Sequence, residues 1–207
     1  MSKQPSYATA VFPTPFSLQY WKMAASEMKH LEKLILAALF VALRVAISML
    51  RIPVGENLYV YFGFLVTSIG AMIYGPVLAF IGGFASDFLS FFMFPTGDPF
   101  FFGYTLSEML GALIYALFFY RTRLSIVKIA CARICVNLFI NVGLGSLWSA
   151  MLYSKGFYYY AAKSIVKNTL LLPVEIILLV AIIQTIAVLA ARYHLLPGQP
   201  TKKIPII

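Results

Sequence analysis

Residues 132–148 read ARICVNLFINVGLGSLW, apolar enough to cross a bilayer yet interrupted by Arg133, Asn137 and Asn141. A charged side chain at bilayer depth costs about 2.5–3.5 kcal/mol on insertion scales, so it faces a protein interior or a watery cavity and marks function. On a helix turning about 100° per residue, these three residues fall at about 0°, 40° and 80°, and Leu144 and Trp148 return to about 20° and 60°. The spacing predicts one narrow wedge, a cation and two amides with an indole towards one end, forming the wall of a polar cavity. The alternative use of Asn137 and Asn141 is to tie helices together, as Asn does in membranes.

The rest of the chain supports a membrane setting. Of 207 residues, 61% are hydrophobic and 11% charged, with mean hydropathy +0.88, whereas soluble domains carry about 25% charged residues. Six apolar runs, bounded by charges or by Gly and Pro, cover approximately 33–50, 58–74, 77–94, 103–120, 128–150 and 168–191. The expected fold is therefore all-α, an integral membrane protein of six transmembrane helices. Gly75-Pro76 parts the second run from the third, and Pro95, Gly97, Asp98 and Pro99 make the next turn. Residues 1–32 read as a cytoplasmic N-terminal tail with aromatics at the interface, 33–192 as the six-helix domain, and 193–207 as a cytoplasmic C-terminal tail. No signal peptide pattern precedes the spans.

Basic residues set the orientation. With both termini cytoplasmic, the inner side holds Lys3, Lys22, Lys29, Lys33, Arg121, Arg123, Lys128, Arg192, Lys202 and Lys203, and the outer side Arg51, Lys155, Lys163 and Lys167. Arg44 and Arg133 lie within spans. The net charge of +9 thus follows topology, and without a basic stripe bearing interleaved aromatics there is no nucleic-acid partner.

Catalytic and metal motifs are missing. Gly70 and Gly75 have phosphate-loop spacing, but Pro76-Val77 follows where Lys-Ser/Thr is required. Cys131 and Cys135 share a helix face without His or carboxylate ligands at metal spacing, so they read as buried small hydrophobes and no metal site is expected. The candidate acids are Asp87, with Ser86 and Ser90 nearby; Glu108, on one face with Tyr104, Gly111 and Tyr115; and Glu175, two residues after Pro173. A pairing of Arg133 or Arg44 with Asp87 or Glu108 is the purely structural alternative for these acids, and it does not account for all of them. A membrane enzyme using Asp87 and Glu108 is the rival from another class. Ala38, Ala42 and Ala46 repeat every four residues, a small-residue strip that admits a neighbouring helix, and Arg44 lies on the opposite face.

The AxxxA strip at Ala38 and Ala42, the FGFL segment Phe62–Leu65 and PTGDPFFFGYTLSEMLGALIYALFF from Pro95 to Phe119 resemble the substrate-binding S component of an energy-coupling factor vitamin transporter, most of all its folate-specific branch. The resemblance covers roughly residues 33–192. It departs at Phe102, where a Pro is expected before the glycine. It implies a multi-pass protein of the prokaryotic cell membrane that is not an enzyme and needs no cofactor. Such a protein captures folate from outside and docks, through Ala38, Ala42 and Ala46, onto a membrane scaffold subunit carrying two cytosolic ATPases.

The chemistry suits that ligand. A pterin edge offers adjacent donors to a carboxylate or amide, an aminobenzoyl ring wants flat apolar walls, and a glutamate tail calls for cations. The expected substrate-binding residues are Arg44, Arg51, Asp87, Arg133, Asn137, Asn141 and Trp148. The pterin is placed at Asp87, Asn137 and Asn141, with Arg133 as a further contact, stacked by Trp148 or by aromatics such as Phe91 and Phe92, and the glutamate at Arg51 and Lys155. Hydroxymethylpyrimidine or pantothenate are the rival substrates for the same fold. Tyr158, Tyr159 and Tyr160 read as part of a lid or of an interfacial belt.

Overall fold

A computed structural model describes residues 11, 12, 15, 17–55, 58–94, 100–153, 155–192 and 204–206. Its helices are α1 (Leu18–Ser26), α2 (Leu31–Ser48), α3 (Gly63–Met93), α4 (Phe102–Phe119), α5 (Ile126–Cys135), α6 (Gly145–Leu152) and α7 (Phe157–Arg192), with a short hairpin of β1 (Arg51–Gly55) and β2 (Leu58–Tyr61). A π-helical segment, Val136–Leu144, joins α5 to α6, so the apolar rod runs unbroken over Ile126–Leu152. Among the described residues four helices are long and apolar enough to cross a bilayer: Gly63–Met93, Phe102–Phe119, Ile126–Leu152 and Phe157–Leu189.

The first of these is two rods. Gly75 has φ +82° and ψ 178°, a conformation essentially confined to glycine, and Pro76 withholds the next helical donor. Gly63 and Ser90 line one cavity, although a straight rod would hold them about 40 Å apart at 1.5 Å per residue. The chain therefore reverses at Gly75, and the two halves of α3 with α2, α4, α5–α6 and α7 give six rods. Lys33 Nζ donates to the Ile73 carbonyl at 3.1 Å, satisfying an acceptor that the broken helix leaves over.

Close approach of α3 and α4 is built at Gly83, where an added Cβ would stand 2.8 Å from the Met109 Cα. The core is apolar and shared by all six rods, with Met72, Ala116, Phe119, Ile129, Leu179 and Ile183 fully buried. Cys131 is exposed and Cys135 half-buried, contrary to the expected burial of both. They lie on the flank of α5, a position that apolar cysteines can hold beside lipid.

Three boundaries differ from expectation. Residues 58–61 form a strand of the hairpin, with Arg51 opposite Tyr61 and Ile52 opposite Val60; the run Leu-Tyr-Val-Tyr suits a pleated surface better than a helix. Helix α7 starts at Phe157, eleven residues before the apolar run, because Ser164, Lys167 and Asn168 line a cavity and so depress the hydropathy of a true helix. Tyr158, Tyr159 and Tyr160 belong to its first turn, where Lys155 Nζ lies 4.1 Å from the Tyr159 ring centroid.

The third concerns the N-terminus. Residues 18–26 form a helix capped by Ser17 and packed on the bundle. Tyr20 is fully buried, its hydroxyl donates to the Ala116 carbonyl at 3.2 Å, and Phe12 meets its ring edge-on. Glu27 accepts from the Tyr120 hydroxyl at 2.8 Å and pairs with Arg121 at 3.0 Å. At the other end of the chain, the carbonyls of Pro205 and Ile206 accept from the amides of Ile126 and Val127, occupying donors that the first turn of α5 cannot pair internally. The turn at Pro95–Pro99 and residues 193–203 lie outside the described residues.

Candidate functional site

A cavity of about 600 Å³ opens between α2, both halves of α3, α4, the π segment and α7, within the range of about 300–1,000 Å³ common for small-molecule sites. Its walls carry Arg44, Asp87, Glu108, Arg133, Lys167 and Glu175, with Asn141, Asn168 and Ser164.

One wall comes from α2, α3 and α4. Arg44 pairs with Glu108 at 2.9 Å, one of the pairings that the sequence suggested. Its guanidinium fills the place that a Cβ on residue 63 would take, so the bare backbone of Gly63 seats it. Asp87 accepts from the Thr105 hydroxyl at 2.7 Å. Ser86 and Ser90 line the cavity beside Asp87, and Tyr104, Gly111 and Tyr115 line it beside Glu108, as the helical spacing required.

The opposite wall is a connected polar network. Arg133 takes Glu175, rather than Asp87 or Glu108, as its counter-ion: Nε lies 3.0 Å from Oε2 and a terminal nitrogen 2.6 Å from Oε1. The same guanidinium donates to the Tyr115 hydroxyl at 2.8 Å and lies 4.0 Å from the Phe64 ring centroid. Asn137 Nδ2 donates to Glu175 at 3.0 Å, and Asn141 Nδ2 to Asn137 at 2.7 Å and to Asn168 at 3.2 Å. Every buried charge here has a charge-assisted partner, which is what makes its burial tolerable.

The expected wedge is thus kept in part. Arg133, Asn137 and Asn141 join one network, but the π segment widens the turn, with the Gly145 amide reaching back five residues to Ile140. Trp148 leaves the network. Its indole donates to Ser107 Oγ on α4 at 2.9 Å and packs against Phe101, next to Gly103, where a Cβ would collide with both rings. Asn137 is buried behind the wall, not on it.

Phe91 and Phe92 also lie off the cavity, in a cluster with Phe88 and Phe100; among the described residues the aromatic lining is Tyr61, Phe64, Tyr104 and Tyr115. Arg51 is in β1, and its side chain is outside the described residues. Glu108, Glu175, Ser164, Lys167 and Asn168 also line the cavity; the two glutamates stand among the candidate acids but not among the expected substrate-binding residues, and for the other three the i, i+3, i+4 spacing is the available signal. Ala38, Ala42 and Ala46 are all exposed along α2, away from the Arg44 face.

A six-rod membrane bundle around a polar cavity is the form of a small-molecule-binding transport subunit. The family described as ECF-type riboflavin transporter, S component, matches residues 28–193, and the chain belongs to it. It is a multi-pass membrane transporter subunit and not an enzyme. Folate transporter FolT of Clostridium novyi (strain NT) is 28% identical over 152 residues, 73% of this chain and 88% of that protein. Folate transporter FolT of Leuconostoc mesenteroides subsp. mesenteroides is 31% identical over 149 residues, 69% and 79% of the two chains. A crystal structure of FolT bound with folic acid aligns with a TM-score of 0.65 at 25% identity, covering 72% of this chain and 91% of that one.

Proposed function

We propose that this chain is the folate-binding S component of an energy-coupling factor transporter. The observation that carries the reading is the cavity itself: about 600 Å³, with ionised side chains on two walls and tyrosines between them. Such a lining suits a long ligand with a donor-rich ring at one end and carboxylates at the other. Riboflavin, named in the family description, is a neutral molecule and gives these charges less to do; both curated relatives and the solved structure carry folate in their names.

In this reading Asp87, beside Arg44 and Glu108, receives pterin donors, and Asn141 contacts ligand from the other wall. Arg133 and Asn137 act from behind by fixing Glu175 and Asn141. Trp148 positions α4 through Ser107, and Arg51 stands on the hairpin near the mouth. The excess of basic residues at the Gly75 end supports an orientation with both termini in the cytoplasm and the hairpin outside. Exposed Ala38, Ala42 and Ala46 let a scaffold helix approach closely, and that scaffold carries the two ATPases.

Titration calorimetry of the purified chain with folic acid, riboflavin, hydroxymethylpyrimidine and pantothenate tests the proposal. One-to-one binding of folic acid at least a hundredfold tighter than the others is expected. Preference for any of the other three would replace the substrate assignment while leaving the family intact.

A further inference from the structure

Among the described residues three cations line the cavity, and their pairing differs. Arg44 is held by Glu108 and Arg133 by Glu175. Lys167, half-buried on α7, has no carboxylate partner among the described residues. Its ammonium lies 5.5 Å from the ring centroid of Tyr61 at the end of β2, a weak compensation for lost hydration. Exposed Lys163, one helical turn earlier, adds repulsion.

The surrounding wall is braced. Ser164 Oγ donates to the Asn141 carbonyl at 3.1 Å, and Asn168 Nδ2 donates to the Ser164 carbonyl at 2.8 Å. Those bonds hold this turn of α7 against the π segment, so Lys167 projects from a fixed base. Lys155, the cation that sequence reasoning placed at the ligand's acidic end, stands outside the lining on Tyr159.

We propose that Lys167 is the carboxylate receptor of the cavity, the group that recognises the acidic tail of the ligand. The proposal rests on the folate reading above and fixes the ligand's direction. The guanidinium of Arg44 is paired with Glu108, which leaves the Asp87 carboxylate, held by the Thr105 hydroxyl, in excess for ring donors on that wall. On the facing wall Glu175 is spent on Arg133, which leaves the Lys167 ammonium in excess. A ligand with donors at one end and carboxylates at the other enters with its tail on α7, beside the hairpin.

The test is titration of the full chain with folic acid and with its dimethyl ester, which keeps every atom of the ring system but has no ionised tail. Wild type, K167M and K167R are compared. Lys167→Met weakens folic acid binding by about 10- to 100-fold, the worth of one hydrogen bond to a charged group, and changes ester binding by less than threefold; Lys167→Arg stays near wild type with both. Equal weakening of acid and ester by Lys167→Met, or no weakening of either, overturns the assignment. Wild-type protein that binds no folic acid overturns the folate reading and the tail receptor with it, and that result is read before any variant is made.

Discussion

Arg133 and Glu175 clasp each other through two parallel bonds, with both side chains at 5–7% exposure, and so join α5 to α7 two residues beyond Pro173, where α7 has lost a helical donor. Removing one member strands the other in a dry interior, at a cost of about 3–5 kcal/mol. Glu175→Ala is therefore expected to lower the melting temperature of the detergent-solubilised chain sharply, and adding Arg133→Met is expected to restore much of it. A Glu175→Ala protein that melts like the wild type would refute this account of the pair.

Gly63 seats the guanidinium of Arg44. A methyl group there pushes Arg44 off Glu108, a pair that is partly exposed and so contributes no more than about 1 kcal/mol to stability. Gly63→Ala should leave melting nearly unchanged but lower folic acid affinity at least tenfold. Unchanged affinity would remove Arg44 from the binding surface.

The reversal in α3 depends on Gly75. Alanine at φ +82° and ψ 178° is strained by about 1–3 kcal/mol, and its Cβ would also stand 2.9 Å from the Tyr120 ring. Gly75→Ala should depress the melting temperature, whereas Gly111→Ala, where a Cβ meets nothing within 4 Å, should not. Equal melting of the two variants would show that the turn tolerates a side chain.

Ala42 is exposed on α2. Ala42→Leu is expected to leave folic acid titration as it is while abolishing both co-purification with the scaffold subunit and uptake into proteoliposomes. Normal uptake would place the docking surface elsewhere.

Much of this was legible in the chain. Gly75-Pro76 announced the reversal, Arg44 and Glu108 were candidates for each other, and the alanines share one face of α2 as their spacing required, a face that is exposed. The misses share a physical cause. Hydropathy judged α7 by its apolar half, yet Ser164, Lys167 and Asn168 are polar because they face a cavity. Periodicity carried the Arg133 face as far as Trp148, because a fixed angle per residue cannot foresee the π segment. Arg133 and Glu175 are separated by 42 positions, and nothing local in either sequence names the other. The N-terminal aromatics read as interfacial residues from sequence, since a Tyr20 that rests on lipid and one that rests on Tyr120 are spelled the same way.

The family match begins at residue 28, one position after Glu27. A chain trimmed to that boundary would keep every cavity residue but would expose the underside of the Gly75 turn: Tyr120 and Arg121 would lose the carboxylate they share, and the Ala116 carbonyl its tyrosine cover. In this protein the matched core therefore carries a plug from outside the match: Phe12 and residues 17–27 close the bundle at the Gly75 end, away from the cavity.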